Sequence, residues 1–319
     1  MTVKNTLADN VNVKVSIADG ATVTLQNATI NGTSNPSYKW AGITCVGNAT
    51  LTLDGINNVT GFYDDYPGVY IEPEKTLTIQ GSGTLYANSN GWGTGIGGGY
   101  EIDCGNIVIN SGTIIATGGD MEAGIGGGSG ASCGYITINN GDVTATGGIG
   151  GAGIGAAFCE YPYAPASCGA ITINGGAVTA TGGKFAAGIG SGCAYTNGKV
   201  NSTCGNITIS GGTVVAVGGN AGWSDDMDLD IQKNENYVNR PIVGGAGIGT
   251  GSSGGNFGSG SNFKGKSNCG TITIGIGVTS VTATKGSDAV NSIGLNNSAY
   301  NAGSCGTITI APGANVTQN

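Results

Sequence analysis

The chain has 319 residues, 65 of them glycine, a formal net charge of −8 at pH 7 and only 9% charged residues. Its Lys and Arg residues form no cluster suited to a nucleic-acid backbone, and no apolar run of about 18 residues suits a membrane span, so the sequence argues against nucleic acid and direct membrane insertion. Histidine, the commonest general base near neutral pH, is absent, which counts against most hydrolytic chemistry.

The N-terminal segment alternates apolar and polar residues at the period of a β-strand. Val11, Val13, Val15 and Ile17 carry this alternation, and ATVTLQN at 21–27 and ATLTLDG at 49–55 continue it. Because the chain starts directly on a strand pattern, without a charged and then apolar leader, we expect it to be an excised piece of a longer protein.

A sixteen-residue motif then recurs along the chain. After a first copy without cysteine, TLTIQGSGTLYA at 76–87, the close copies are CGNIVINSGTIIATGG at 104–119, CGYITINNGDVTATGG at 133–148, CGAITINGGAVTATGG at 168–183 and CGNITISGGTVVAVGG at 204–219. Looser copies start at Cys269 and Cys305. Self-similarity of this kind is typical of a solenoid and argues against low-complexity disorder or a β-sandwich.

Each copy contains three strand-sized pieces: Ile-x-Ile, Val-Thr-Ala-Thr and Ala-Gly-Ile-Gly. Because strand side chains alternate in direction, the apolar set faces inward and like residues stack along the tube. The predicted internal ladder is Ile107, Ile136, Ile171, Ile207, Ile272 and Ile308. We therefore predict an all-β, single-stranded, right-handed parallel β-helix of seven to eight coils with a triangular cross-section.

The predicted β-helix forms one domain over residues 1–319. We divide it into weak early coils at 1–75, regular coils at 76–219, a loop insertion at 220–243 and further coils at 244–319. The glycine pairs that end each motif, such as 147–148, are expected at corners where the backbone needs positive φ.

Six cysteines occupy the same place in successive copies and should form a column: Cys104, Cys133, Cys168, Cys204, Cys269 and Cys305. Three interpretations stay open, namely a packing ladder, disulfides between neighbouring coils, and a soft-metal site. Cys159 and Cys193 are expected to form a further disulfide. The total of nine cysteines is odd, so at least one thiol should be free unless cysteines pair between chains.

Loops of unequal length interrupt the motif at 97–103, 156–167, 191–203 and 250–268. Such loops fall on one flank of a solenoid, which is often its binding face. Aromatic faces stack on sugar rings and carboxylates accept sugar hydroxyls, so a glycan groove is one interpretation, and loop aromatics that merely pack on the tube are the other. The candidate ligand-binding residues are Trp92, Tyr100, Glu101, Asp103, Tyr161, Tyr163, Trp223 and Tyr237.

Two acidic clusters accompany these loops. In the insertion at 221–241, the alternating carboxylates could hold calcium, although the complete twelve-residue calcium loop is missing, and a solvated loop is the alternative. The candidate calcium ligands are Asp225, Asp226, Asp228 and Asp230. The second cluster, Tyr63–Tyr66, lies in an early loop and could belong to the same groove.

Outward threonines of the Val-Thr-Ala-Thr pieces suggest one more hypothesis. Pairs such as Thr144 with Thr146 and Thr179 with Thr181 are what β-solenoid ice-binding proteins present. Tyr86, Ile115, Val215 and Val217 interrupt the array, however, and threonine is a common outward strand residue.

The AGIGGG and CGxITIxGGTVTATGG strings resemble repeats of bacterial cell-surface proteins that are carbohydrate-binding and similar to polysaccharide-lyase β-helices. The resemblance covers about residues 40–310 and implies an exported, cell-attached protein that binds plant or host glycans. Lyases of this fold combine calcium held by Asp with an Arg or Lys base, and here only Arg240 with the Asp225–Asp230 cluster could serve.

From these observations we expect a non-catalytic, adhesin-like protein, extracellular or on a cell surface, that binds a glycan or cell-surface polysaccharide. The alternative is a polysaccharide lyase or a glycoside hydrolase acting on a uronate-containing glycan, with Glu101 and Asp103, or Asp64 and Asp65, as candidate carboxylate pairs. An ice-binding or purely structural stalk is the third hypothesis.

Overall fold

The computed structural model describes residues 1–7, 14–31, 37–159, 164–194, 200–223, 241–253, 256–257, 261–262, 265–296 and 303–319. Within these ranges the chain forms strands, turns and bends, without a helix. Accordingly, this part of the chain offers no helix with the length and apolar character to cross a bilayer.

The strands are short and follow one another closely. In chain order they are β1 (Thr2–Leu7), β2 (Val15–Ile17), β3 (Thr22–Ile30), β4 (Ile43–Cys45), β5 (Ala49–Asp54), β6 (Ile56–Thr60), β7 (Val69–Ile71), β8 (Thr76–Gly81), β9 (Thr84–Asn88), β10 (Ile96–Gly97), β11 (Asn106–Ile109), β12 (Thr113–Thr117), β13 (Ile125–Gly126), β14 (Ser132–Cys133), β15 (Ile136–Ile138), β16 (Asp142–Thr146), β17 (Ile154–Gly155), β18 (Ala166–Cys168), β19 (Ile171–Ile173), β20 (Ala177–Thr181), β21 (Ile189–Gly190), β22 (Ser202–Cys204), β23 (Ile207–Ile209), β24 (Gly212–Val217), β25 (Gly222–Trp223), β26 (Pro241–Ile242), β27 (Ile248–Gly249), β28 (Asn256–Phe257), β29 (Ser261–Asn262), β30 (Ser267–Cys269), β31 (Ile272–Ile274), β32 (Val278–Thr284), β33 (Ile293–Gly294), β34 (Ser304–Cys305), β35 (Ile308–Ile310) and β36 (Val316–Gln318).

The strands stack in four parallel ladders, as expected for a parallel β-helix. The isoleucine ladder contains β5, β8, β11, β15, β19, β23, β31 and β35. The threonine ladder contains β6, β9, β12, β16, β20, β24, β32 and β36. The glycine ladder contains β2, β4, β7, β10, β13, β17, β21, β27 and β33, and the cysteine ladder contains β14, β18, β22, β30 and β34. The last of these is additional to the three strand-sized pieces that the motif indicates.

The early coils are more regular than the motif suggests. In the described part of the chain the glycine ladder has nine strands, against the seven to eight coils predicted. Its first strands, β2, β4 and β7, replace Ala-Gly-Ile-Gly with Val-Ser-Ile, Ile-Thr-Cys and Val-Tyr-Ile, so the motif does not reveal them. The long strand β3 pairs with both β5 and β6, and β1 lies on β3. Strands of the ladders therefore precede the first motif copy, and the single domain over 1–319 stays a prediction.

The interior of the tube is a continuous apolar core. Ile136 pairs in register with Ile171, and Ile171 with Ile207, and all three side chains are fully buried. Ile308 is in register with Ile272, as the predicted ladder requires, but it is 43% exposed and therefore not buried with the others. Ile308 lies in the last described coil, so it has a neighbouring coil on one side only.

The glycine pairs are required for a different reason from the one expected. Positive φ is found at other glycines, such as Gly155 (φ 142°), and not at the pairs. Instead, the pairs lie where successive coils touch: a Cβ on Gly183 would lie 1.7 Å from the carbonyl oxygen of Gly148. A Cβ on Gly219 would lie 1.6 Å from the carbonyl oxygen of Gly183. The pairs are therefore selected for the absence of a side chain.

The corner between the isoleucine and threonine ladders carries a row of exposed amides. The side-chain NH2 of Asn139 donates to Oδ1 of Asn110, and that of Asn174 donates to Oδ1 of Asn139, both at 2.8 Å. The Ser210 hydroxyl continues the row by donating to Oδ1 of Asn174 at 2.8 Å. This row links four successive coils on the outside of the tube.

Candidate ligand-binding surface

Loops that precede and follow strands of the glycine ladder contact one another. Residues 98–103 follow β10, whereas residues 61–67 precede β7. The Tyr100 N–H donates to the carbonyl oxygen of Asp65 at 3.1 Å, and Gly99 forms antiparallel bridges with Gly93 and Ile102. The two loops that carry the aromatic and acidic residues of the early coils are therefore in direct contact.

These loops form one continuous surface that we call the aromatic–acidic patch. Its members lie in the loops next to β7 and β10 and are Tyr63, Asp64, Asp65, Tyr66, Trp92, Tyr100 and Glu101. Of the sequence-predicted ligand residues, Trp92, Tyr100 and Glu101 are thus brought together with the early acidic cluster.

The aromatic rings of the patch are paired and partly exposed. Trp92 and Tyr100 meet edge to face with ring centroids 6.1 Å apart and an interplanar angle of 71°. Trp92 remains 37% exposed, so part of its ring is open to a ligand. Tyr63 and Tyr66 form a second, tilted pair at 6.5 Å. Edge-to-face pairs of this kind hold rings in fixed orientations, which favours recognition of a rigid apolar surface.

The carboxylates of the patch influence one another. Burial raises the pKa of Asp65, the negative charges of Asp64 and Glu101 raise it further, and the Lys39 ammonium opposes the shift. Burial and the neighbouring Asp65 also raise the pKa of the Tyr66 hydroxyl. Lys39 Nζ lies 5.8 Å from the Tyr63 ring centroid, so it bounds the patch on one side. The patch combines hydrogen-bond acceptors with a net negative charge.

A stack of aromatic side chains extends the patch towards the core. Tyr38 lies 5.3 Å from Trp40, and Trp40 lies 6.0 Å from Phe62, measured between ring centroids. Phe62 is buried, and Trp40 Nε1 is buried without a hydrogen-bond partner among the described residues. Sequence reasoning missed Lys39 and Trp40, because they lie in a weak early coil that lacks the repeat motif.

Asp103 has a structural position outside the patch. One of its carboxylate oxygens accepts the N–H of Ser132 at 2.6 Å, and its carbonyl oxygen accepts the Tyr70 hydroxyl at 3.1 Å. Burial, followed by the charges of Glu72 and Asp103, raises the pKa of Tyr70 to about 12. Asp103 therefore fastens one coil to the next and does not join Glu101 in the patch.

A buried carboxylate lies under the adjoining loop. Glu122 is fully buried, and its Oε2 accepts the N–H of Ser129 at 2.8 Å. Its Oε1 has no hydrogen-bond partner among the described residues. Burial raises the pKa of Glu122 well above its usual range, although the Ser129 hydrogen bond opposes this shift.

The loop at 156–167 supports the alternative in which aromatics pack on the tube. Phe158 is buried in a small second core with Met121, Phe185, Cys193 and Ile242. Tyr161 and Tyr163 of the same loop lie outside the described residues.

The insertion is described only at its ends, where β25 and β26 form an antiparallel hairpin. The structure does not describe the side chain of Trp223, and Tyr237 and Arg240 lie outside the described residues. The candidate calcium ligands also lie outside them, namely Asp225, Asp226, Asp228 and Asp230. Elsewhere, the described ranges contain no group of three or more Cys, Asp or Glu side chains placed to hold a metal ion.

Two other surfaces have less to offer a ligand. An open groove beside the first coils is lined by small and polar residues without an aromatic or charged side chain: Gly20, Ala21, Asn48, Ala49, Thr50, Thr76 and Thr78. On the threonine ladder, Thr144 pairs with Thr179, but Val215 follows in the same column and Ile115 precedes it. The threonine array is interrupted in the structure as in the sequence.

The cysteines expected to form a column are in register. Cys133, Cys168, Cys204, Cys269 and Cys305 pair in successive strands, and Cys104 bridges to Cys133, with which it forms a disulfide. The predicted disulfide between Cys159 and Cys193 is not formed, and Cys193 is a buried thiol. The two residues are joined through their backbones instead: the N–H of Cys159 donates to the carbonyl oxygen of Cys193 at 3.0 Å.

Comparison with known proteins identifies the repeat. A family model described as "Beta helix repeat" matches residues 77–100, 107–129, 136–158, 171–193 and 207–222. Neither the search of curated proteins nor the search of solved structures found a match. Each matched segment begins at an inward residue of the isoleucine ladder. The first four run through the threonine and glycine ladders, whereas the fifth ends after the threonine-ladder strand β24. The stacked parallel ladders show that the fold is a parallel β-helix, and the family model matches repeats within its middle coils.

Proposed function

We propose that this protein binds carbohydrate through the aromatic–acidic patch, without cleaving it, on a cell surface or in the extracellular medium. The observation that carries the proposal is the edge-to-face pair of Trp92 and Tyr100, with Trp92 37% exposed, beside the carboxylates of Asp65 and Glu101. A sugar ring presents an apolar face and a rim of hydroxyls, and this arrangement complements both.

The negative charge of the patch favours neutral over acidic glycans. Asp64, Asp65 and Glu101 would repel the carboxylates of a polyuronate, whereas they accept hydrogen bonds from neutral sugar hydroxyls. We therefore propose neutral glycans as the preferred ligands. The lyase alternative depends on Arg240 and the Asp225–Asp230 cluster. The adhesin-like proposal is supported by the resemblance to cell-surface repeat proteins, which implies bacterial origin and export.

The first experiment compares binding to neutral and acidic polysaccharides. The full chain is screened on a glycan array and then by affinity electrophoresis with β-glucan, xyloglucan and polygalacturonate, with calcium and with chelator. We expect retardation by a neutral glycan and no release of unsaturated product absorbing at 235 nm. Binding restricted to polygalacturonate, or formation of unsaturated product, would favour the lyase alternative.

The second experiment tests the site itself. Trp92→Ala should weaken binding to the best neutral glycan about tenfold or more, because exposed tryptophans at binding centres contribute at least about 1.4 kcal/mol. Tyr135→Ala is the matched control, since Tyr135 is 43% exposed on a repeat coil away from the patch. Equal loss in both variants, or no loss in Trp92→Ala, contradicts binding at the patch.

A further inference from the structure

Besides its one disulfide, the cysteine ladder contains further pairs of thiols that lie close to each other. Cys104 and Cys133 are bonded, with their Cα atoms 4.6 Å apart. The next two coil pairs repeat the same parallel register, Cys168 on Cys204 and Cys269 on Cys305. Neighbouring strands lie about 4.8 Å apart, which is within the Cα separation that a disulfide spans.

The thiols are already associated in these pairs. The Cys204 thiol is hydrogen-bonded to Cys168, and the Cys269 thiol is hydrogen-bonded to Cys305. Each pair is separated by 36 residues, whereas Cys204 and Cys269 lie 65 residues apart, on either side of the insertion. The Cys104–Cys133 bond also removes Cys133 as a partner for Cys168.

We propose that the cysteine ladder is a disulfide-forming site in which Cys168 bonds to Cys204 and Cys269 bonds to Cys305, so that three staples each join two successive coils. The competing bond, Cys204 to Cys269, would leave Cys168 and Cys305 as separate thiols. Only the proposed pairing uses all six cysteines of the column.

The oxidant is a disulfide of low molecular mass, such as oxidised glutathione, and the outermost pair reacts first. Cys305 is half-buried, and the hydrogen bond from Cys269 lowers the pKa of its thiol, although burial opposes this. The Cys305 thiolate attacks one sulfur of the oxidant, forms a mixed disulfide and releases one thiolate. The Cys269 sulfur then loses its proton to that thiolate, attacks the Cys305 sulfur and displaces the second thiolate. Two protein thiols are oxidised while one disulfide is reduced to two thiols.

The Cys168–Cys204 pair should react more slowly. Cys168 and Cys204 are 4% and 1% exposed, so an external disulfide reaches them less readily than Cys305. We expect this second staple to form mainly while the chain folds.

Peptide mapping of the full chain tests the pairing. Protein refolded with oxidised and reduced glutathione is unfolded in the presence of the alkylating reagent, so that every free thiol is blocked, and is then digested without reductant by trypsin and chymotrypsin, which together place the four cysteines on separate peptides. We expect linked peptides for Cys168–Cys204 and Cys269–Cys305. A linked Cys204–Cys269 peptide, or complete alkylation of all four thiols after oxidation, overturns the proposal.

A single variant separates the two pairings. In Cys204→Ser, the proposed pairing predicts that only Cys168 changes, from trace to near-complete alkylation, while Cys269 and Cys305 stay linked. The competing pairing predicts that Cys269 becomes free instead. The Cys104–Cys133 peptide is the folding control, and if that linkage is lost, Cys305→Ser replaces the first variant, with Cys269 as the thiol expected to become reactive.

Discussion

Glu122 places an ionisable group where water does not reach it. The carboxyl is fully buried, and one of its oxygens lacks a hydrogen-bond partner within the described residues, so its protonated form is favoured in the folded state. In the unfolded chain a glutamate ionises with a pKa of about 4.3. The folded protein therefore binds one proton more than the unfolded chain over a range of pH above that value.

This difference predicts a pH dependence of stability. The stabilisation is complete below the unfolded pKa and is lost as pH rises towards the raised folded pKa, at up to about 1.4 kcal/mol per pH unit. The glutamine of the Glu122→Gln variant cannot titrate. As pH rises from 5 to 8, the free energy of unfolding of this variant should therefore increase relative to that of the wild type. Urea unfolding measures this, with the exposed Asp120→Asn as control. Parallel pH profiles for wild type and Glu122→Gln would show that Glu122 ionises freely.

The glycine pairs give a second prediction for single residues. Gly183→Ala should destabilise the fold by about 3 kcal/mol or more, because its Cβ would meet the carbonyl of Gly148 at 1.7 Å, a backbone contact that cannot move aside. Gly275→Ala is the control, since its nearest heavy atom, Cα of Ser210, is 3.5 Å away and its φ is not positive. Denaturant unfolding of both variants gives the comparison, and similar stabilities would argue against the close-contact explanation.

At the scale of the ladders, position along the tube decides what a side chain contributes. Ile207→Ala removes a fully buried side chain between two neighbours in register, Ile171 and Ile272, and should cost about 2 to 5 kcal/mol. Ile308→Ala, at 43% exposure, should cost less than about 1 kcal/mol. Both are measured by urea unfolding. Equal costs would mean that the last coil is covered in solution.

Three ladders of the fold could be predicted because Ile-x-Ile, Val-Thr-Ala-Thr and Ala-Gly-Ile-Gly pieces recur in the same order in each close copy of the motif. The period of two identifies the strands, and the repetition identifies the stacking. The hand of the helix stays a prediction. The first coils were undercounted because Val69–Ile71 and its neighbours bury the same inward positions with different residues.

The candidate site was harder to predict than the tube. Tyr100 and Asp65 are far apart in the sequence and meet only because their loops lie next to strands of the same ladder, and this contact depends on loop backbone that no periodicity encodes. Asp103 shows a second contact that the sequence does not reveal, since its carboxylate accepts the N–H of Ser132 and its carbonyl oxygen accepts the Tyr70 hydroxyl; ligand binding by Asp103 stays a prediction. Loop composition therefore predicts a candidate region, but it does not predict which loop residues contact one another.

For the whole molecule, the staples act on the unfolded chain as much as on the native tube. The Cys104–Cys133 bond closes a loop with a sequence separation of 29, for which chain entropy gives about 3 to 4 kcal/mol. The double variant Cys104→Ala, Cys133→Ala should therefore lose about that much unfolding free energy under oxidising conditions. Guanidinium unfolding with and without reductant measures the effect. Under reducing conditions the variant and the wild type should differ far less, and a large difference there would assign the loss to packing.

Because the cysteine ladder has one cysteine per coil, the number of coils also decides whether every cysteine of the column can have a disulfide partner. Recombination between repeats that removed residues 133–167 would join Ser132 to Cys168 and place Ile107 on Ile171, so the shortened tube would keep every inward residue matched. The column, however, would then hold five cysteines in place of six. Deletion or duplication of a single coil would always leave one sulfur without a partner, whereas gain or loss of coils in twos would preserve complete pairing. If the staples matter to the organism, related tubes should differ in length by even numbers of cysteine-bearing coils.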